Sequence, residues 1–158
     1  VRGKTAALFS AATKVGGVIA NAPKTVQNAL FDYGDALGIA FQIVDDLLDV
    51  SGDPDLMGKN IGDDFRECKL TLPFIKAVAK STADERAFWK RTIEKGDQQE
   101  GDLARALELL KTHHAIEDTR QDALQWSRRA KDALAPLPDH PMKAILATLA
   151  TYVVERIT

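Results

Sequence analysis

At 158 residues the chain has room for one domain with a real core, and 45% hydrophobic with 28% charged residues is an ordinary globular composition. A net charge of −2 gives no general reason to expect nucleic acid as a partner. The single cysteine, Cys68, excludes an internal disulfide framework and suits a reducing compartment, so a cytoplasmic location is expected. No apolar run approaches the roughly 20 residues of a membrane span. The longest candidate, Ile145 to Val154, contains two Thr and a Tyr. The start resembles no signal peptide. It opens Val-Arg-Gly-Lys without methionine, which is expected of a fragment or a processed product.

Taken in order, Lys4 to Ala20 reads as a helix rich in Ala, Ser and Gly, whose small side chains permit close approach of another helix or a ligand. Asn21-Ala22-Pro23 breaks it, and Pro23 suits the first turn of the next helix. That helix is predicted over Lys24 to Val50, with a kink expected near Gly34 or Gly38. Ser51 to Leu72 is the main irregular segment, punctuated by Gly52, Pro54, Gly58 and Gly62. It carries Lys59, Asp63, Asp64, Arg66, Glu67 and Lys69, more charge of both signs than a connector needs. Thr71-Leu72-Pro73 starts a helix to about Lys80. Thr82 to Glu85 is a capping box opening another, closed by Lys95-Gly96. Amphipathic helices follow over Asp102 to His113 and Ile116 to Leu134. Pro136, Pro138 and Pro141 force a break before a last helix, Pro141 to Ile157, with Ile145, Leu149, Tyr152 and Val153 on one face. No stretch alternates as a strand does. The class is all-α.

The helical stretch Gly38 to Asp49, GIAFQIVDDLLD, carries the chemistry. At about 100° per residue, Gln42, Asp45, Asp46 and Asp49 fall within an arc of roughly 100°, and Asp35 and Gly38 extend the stripe backwards. Phe41, Ile43, Val44, Leu47, Leu48 and Val50 occupy nearly all the rest. A helix apolar on most of its circumference is normally buried, so its acids are expected to face an internal cavity. Clustered acids repel, and desolvation worsens that cost unless a cation neutralises them. A hard divalent cation bridging to phosphate is the natural partner. A merely solvated acidic face is the alternative, but such a face grades into Lys, Glu and Gln, and this one does not.

Other constellations carry less. Asp53, Asp55, Gly58 and Asp64 stand at EF-hand positions 1, 3, 6 and 12, but Pro54 and Met57 are poor loop residues and the bidentate Glu is missing. No Glu-x-x-His pair points to a di-iron bundle. His113, His114 and His140 are expected on the surface. Cys68 has no neighbouring His in sequence to activate it. Trp89 and Trp126 are expected to pack. The acidic stripe with Lys4, Lys59 and Lys69 is left, and acids that hold a metal with lysines that neutralise a polyanion describe a metal-diphosphate site.

These residues resemble a known family. FQIVDDLLD (Phe41 to Asp49), followed by GKNIGDDFRECKLTLP (Gly58 to Pro73), is similar to the second aspartate-rich region of trans-isoprenyl (polyprenyl) diphosphate synthases. RGKTAALF (Arg2 to Phe9) resembles the helix that supplies their substrate-facing Lys-Thr pair. The resemblance runs in the family's order across essentially the whole chain, and the loop resembles that of long-chain octaprenyl or decaprenyl enzymes. It implies an isoprenoid-synthase helical bundle performing Mg2+-dependent head-to-tail condensation of isopentenyl diphosphate with an allylic diphosphate. Carried over, Asp45 is the leading metal ligand, with Asp46 and Asp49 holding metal-bound water or assisting. Lys4, Lys59 and Lys69 become diphosphate ligands, and Thr5 and Gln42 polar groups lining the cavity. A long-chain product such as a quinone side-chain precursor, a homodimer, and peripheral membrane contact for long products are further implications.

The chain departs from the family in one respect. The first aspartate-rich motif and its arginine pair, which precede the Lys-Thr segment in a complete synthase, are not in this sequence. Residues 1–158 are therefore expected to form the C-terminal part of a single synthase domain, inactive alone. A non-catalytic subunit of a heteromeric synthase is the alternative from another class. A terpene cyclase is disfavoured, because D-D-x-x-D stands where that class mixes Asn, Ser and Glu. Val26, Leu30, Phe31, Tyr33 and Leu37 spread around more than one helix face and are expected to serve self-association.

Overall fold

The computed structural model of the protein describes residues 2–51 and 61–157, among which are eight α-helices and no strand. A π-helical turn, Arg2–Ala6, leads into α1 (Ala7–Ile19), and α2 is Lys24–Ser51. A short α3 (Asp63–Arg66) interrupts the segment read as irregular. Then come α4 (Leu72–Lys80), α5 (Ala83–Trp89, prolonged by a π-helical turn Lys90–Glu94), α6 (Asp102–Thr112), α7 (Ala115–Ala133) and α8 (Pro141–Glu155). The all-α class is what the sequence predicts. The chain divides into two compact units, Val1–Val44 with Asp122–Thr158, and Asp45–Gln121.

In the first unit α1 ends because Asn21 takes the left-handed conformation (φ 51°), and the Ala22 amide bonds back to the Gly17 carbonyl at 3.0 Å. Left-handed Asn is a common helix stop, and Pro23 keeps the chain from continuing. The small residues of α1 and α2 then form one seam. A Cβ on Gly34 would lie 2.6 Å from the Phe9 carbonyl oxygen and 2.7 Å from Ser10 Cα; one on Gly38 would lie 2.7 Å from Ala6 Cα. Thr13 Oγ1 donates across the seam to the Leu30 carbonyl at 2.6 Å. The two α2 glycines therefore serve close helix approach.

Tyr33, Ala36, Leu37, Ala40 and Ile43 continue this unit's core with Ala123, Ala130, Leu134, Ala150, Val153 and Val154. The buried Tyr33 hydroxyl donates to the Leu146 carbonyl at 2.8 Å, and burial pushes its pKa up to about 12. Ser127 Oγ donates to the Ala150 carbonyl at 2.6 Å. Ile145, Leu149, Tyr152 and Val153 fall within about 100° of the α8 circumference, with Val153 buried and the other three exposed. One expectation is corrected here. Tyr33 and Leu37 are core residues; besides Phe31, the large apolar side chains exposed before Gly38 are on α1, namely Leu8, Val15, Val18 and Ile19.

The second unit is built on aromatic packing. Phe65, Phe74 and Trp89 pack in turn as tilted ring pairs with centroids 6.0 and 5.8 Å apart. The Trp89 indole N–H donates to Ser81 Oγ at 3.0 Å, so its polar edge is satisfied inside the core. The capping box is realised: Glu85 carboxylate accepts the Thr82 amide, and Thr82 Oγ1 accepts the Glu85 amide. Glu85 also pairs with His113 at 3.0 Å. His113 is thus half-buried and partnered, a correction to its expected surface position.

Arg91 and Asp102 make a bidentate pair at 2.8 Å for each bond, and Asp102 accepts the Gln99 amide at 2.7 Å. The Arg91 guanidinium, helped by that amide, holds the Asp102 carboxyl below its ordinary value. A lowered folded-state pKa contributes stability that is present at neutral pH and lost as pH falls through the lowered value. Asp102→Asn is expected to reduce stability at pH 7 and to flatten its decline between about pH 5 and 2, as measured by urea unfolding across that range.

Candidate functional site

The first unit brings two of the expected polar residues together. Thr5 Oγ1 donates to Gln42 Oε1 at 2.7 Å, and both side chains are half-buried. This pairing depends on the seam: Gly38, one turn before Gln42, lets Ala6 of the π-helical turn ahead of α1 come close. Gly38 therefore faces α1 and is not an open continuation of the acidic stripe. Lys4, beside Thr5, is exposed. Phe9, Leu37, Phe41, Tyr152, Val153 and Arg156 line an apolar cavity of about 200 Å3 in the same unit, a recess suited to hydrocarbon.

In the second unit the acids at the end of α2 have three different environments. Asp45 is exposed, Asp46 is 6% exposed and Asp49 is half-buried, while Leu47, Leu48 and Val50 between and beside them are in the core. Asp49 is already engaged. Its Oδ1 accepts the Asp63 amide at 3.1 Å and its Oδ2 the Asp64 amide at 3.2 Å. The Gly62 amide donates to the Asp49 carbonyl at 2.8 Å. Burial pushes the Asp49 carboxyl up, and the Asp64 charge adds to that; the two amides work against it.

Gly62 is the hinge of this return. Its φ of 85° is left-handed, and a Cβ there would run into the Leu103 side chain. After it, α3 holds Phe65 in the core, and the Lys69 amide donates to the Asp64 carbonyl at 2.8 Å. The Lys69 ammonium pairs with Glu67 and, at 3.3 Å, with Asp64; these carboxylates, Glu67 first, raise its pKa. Lys69 is exposed, so a stronger anion can compete for it. From the far side Gln98 donates to the Phe65 carbonyl at 2.6 Å and the Thr92 carbonyl at 3.1 Å. Gln98 carries no sequence signal, since its partner lies 33 residues away. Lys59, and the Asp53, Pro54, Asp55, Met57 and Gly58 weighed for an EF-hand, lie outside the described residues.

Among the described residues no three His, Cys, Asp or Glu side chains are grouped to enclose a metal ion by themselves. Asp45 and Asp46 nevertheless supply the hard oxygen donors a magnesium ion takes, and this ion is normally held by one or two carboxylates with water and phosphate oxygens completing the shell. The residues fit a shared site of that kind. None of the described helices is long and apolar enough to cross a membrane.

A family model described as Polyprenyl synthetase matches residues 1–110, and the chain belongs to that family. It is 39% identical over 153 residues to an octaprenyl diphosphate synthase of Escherichia coli, covering 97% of this chain and 47% of that protein. Among solved structures, a polyprenyl synthase from Roseobacter denitrificans is 68% identical with a TM-score of 0.92, covering 99% of this chain and 51% of that one. A decaprenyl diphosphate synthase from Rhodobacter capsulatus is 61% identical with a TM-score of 0.90, over 100% and 48%. A polyprenyl synthase from Caulobacter crescentus, complexed with calcium and isoprenyl diphosphate, is 42% identical with a TM-score of 0.91, over 100% and 48%. The chain spans about half the length of the curated relatives it matches.

Proposed function

We propose that this chain is the C-terminal half of a cytoplasmic, homodimeric, long-chain polyprenyl diphosphate synthase. The observation that carries this reading is its match, over nearly all its length, to half of an octaprenyl and half of a decaprenyl diphosphate synthase. The chemistry is head-to-tail condensation of isopentenyl diphosphate with an allylic diphosphate. Asp45, with Asp46 beside it, holds the metal. Magnesium, when bound, supplies Lewis acidity that stabilises the charge developing on the leaving diphosphate. Lys4, Lys59 and Lys69 neutralise diphosphate oxygens, Lys69 exchanging its pairing with Glu67 and Asp64 for the more highly charged ligand. Thr5 and Gln42, locked to each other, present a fixed polar edge to the substrate. Binding energy placed on the leaving group in this way accelerates bond cleavage because that charge is greatest in the transition state.

The test is incorporation of labelled isopentenyl diphosphate into extractable product. The 158-residue chain alone is expected to give none. Co-expression with the N-terminal half of the Roseobacter denitrificans enzyme is expected to restore it. Turnover by the chain alone would remove the half-enzyme reading. No turnover in a co-purified complex of the two halves would remove the synthase reading and favour a non-catalytic subunit.

A further inference from the structure

We infer that Asp49, the third acid of D-D-x-x-D, is a positioning residue whose carboxylate clasps the first turn of α3 and so sets where Lys69 stands. Its two oxygens are divided between two consecutive backbone amides, Asp63 at 3.1 Å and Asp64 at 3.2 Å. The Gly62 amide on the Asp49 carbonyl makes a third bond across the same junction. A side chain 14 residues earlier in sequence therefore does for α3 what an N-cap normally does locally; Gly62, the residue in the cap position, has no side chain to do it.

The clasp reaches Lys69 through the hydrogen bonds of Asp64. Asp64 is held by Asp49 at its amide, and its carbonyl and carboxylate both bind Lys69, at 2.8 and 3.3 Å. The far side of the turn is anchored by Gln98 on the Phe65 carbonyl. Releasing Asp49 frees the α2 side of this turn while Gln98 still holds the other, so the expected result is a shifted Lys69 and not an unfolded unit. Asp45 makes no comparable backbone contact with α3 among the described hydrogen bonds, which separates the roles of two acids one helical turn apart. That the shift matters for diphosphate rests on the synthase reading; the clasp itself does not.

Amide hydrogen exchange on the 158-residue chain in EDTA decides the point, because it needs neither metal nor turnover. Asp49→Ala is expected to speed exchange of the Asp63 and Asp64 amides on the order of tenfold, with α6 amides unchanged. Asp45→Ala is expected to leave both amides at the wild-type rate. Asp49→Asn keeps the shape and one acceptor oxygen, should fall between, and serves if alanine also loosens α6. In the reconstituted enzyme, Asp49→Ala should raise KM for isopentenyl diphosphate more than it lowers kcat, with the magnesium half-saturation unchanged. Unaltered Asp63 and Asp64 exchange in both Asp49 variants, or a magnesium shift as large as that of Asp45→Ala, would overturn the clasp. If the wild-type complex shows no turnover, only the synthase reading fails, and exchange still decides the clasp.

Discussion

Asp45→Ala in the complete enzyme is expected to lower kcat for isopentenyl diphosphate incorporation by on the order of 100-fold or more, and Asp49→Ala by about tenfold. The two acids stand one turn apart on the same helix, so helical position alone gives them equal claims. Their surroundings do not. Asp45 is exposed and open to an incoming cation, whereas the Asp49 carboxylate already accepts two backbone amides. Removing a group that stabilises charge in the transition state withdraws its full contribution there; removing one that holds a loop only spreads the loop's positions. Magnesium titration of both variants separates the cases, since Asp45→Ala alone should require more metal. Equal and small losses would mean the stripe is a solvated face.

Gly34→Ala is expected to destabilise the fold by about 2 kcal/mol, and Gly16→Ala to be neutral or mildly stabilising. Alanine gains up to about 1 kcal/mol in intrinsic helix propensity over glycine at either position. At Gly34 the added carbon would meet Thr13 Oγ1, the Phe9 carbonyl oxygen at 2.6 Å and Ser10 Cα at 2.7 Å. Two of those three are backbone atoms, which cannot rotate away, so α1 and α2 must separate. Overpacking of that kind costs roughly 1–3 kcal/mol and occasionally more, and it outweighs the propensity gain. At Gly16 nothing lies within 4 Å, so only the propensity term remains. Thermal unfolding followed by circular dichroism should show a fall in Tm of about 4–8 °C for Gly34→Ala. An unchanged Tm would mean that the seam is looser than its distances.

Much of this was legible without coordinates, because it depends on neighbours along the chain. Proline at the starts of α4 and α8 and the Thr82 capping box mark helix starts, and the 3.6-residue period puts Gln42, Asp45, Asp46 and Asp49 on one arc. These are local constraints, set by backbone groups within one or two turns. The resemblance of the motif blocks added the Thr5 and Gln42 assignment, and the two side chains do meet at 2.7 Å.

What the tertiary structure alone decided are pairings between residues far apart in sequence. Gly34 and Gly38 read as kink sites, since glycine weakens a helix wherever it stands; only the approach of α1 turns them into a seam. Tyr33 and Leu37 read as candidates for an oligomer surface until α7 and α8 supply the rest of the core around them. His113 found Glu85 across 28 residues, and Gln98 found the Phe65 carbonyl across 33. Asp49 is the clearest case. Its type and helical position mark it as a metal ligand, yet the chain returns after Gly62 with two unpaired amides at a helix start, and a carboxylate within reach satisfies them. Helical period tells which face a side chain is on; which backbone comes back to meet it is decided by the fold.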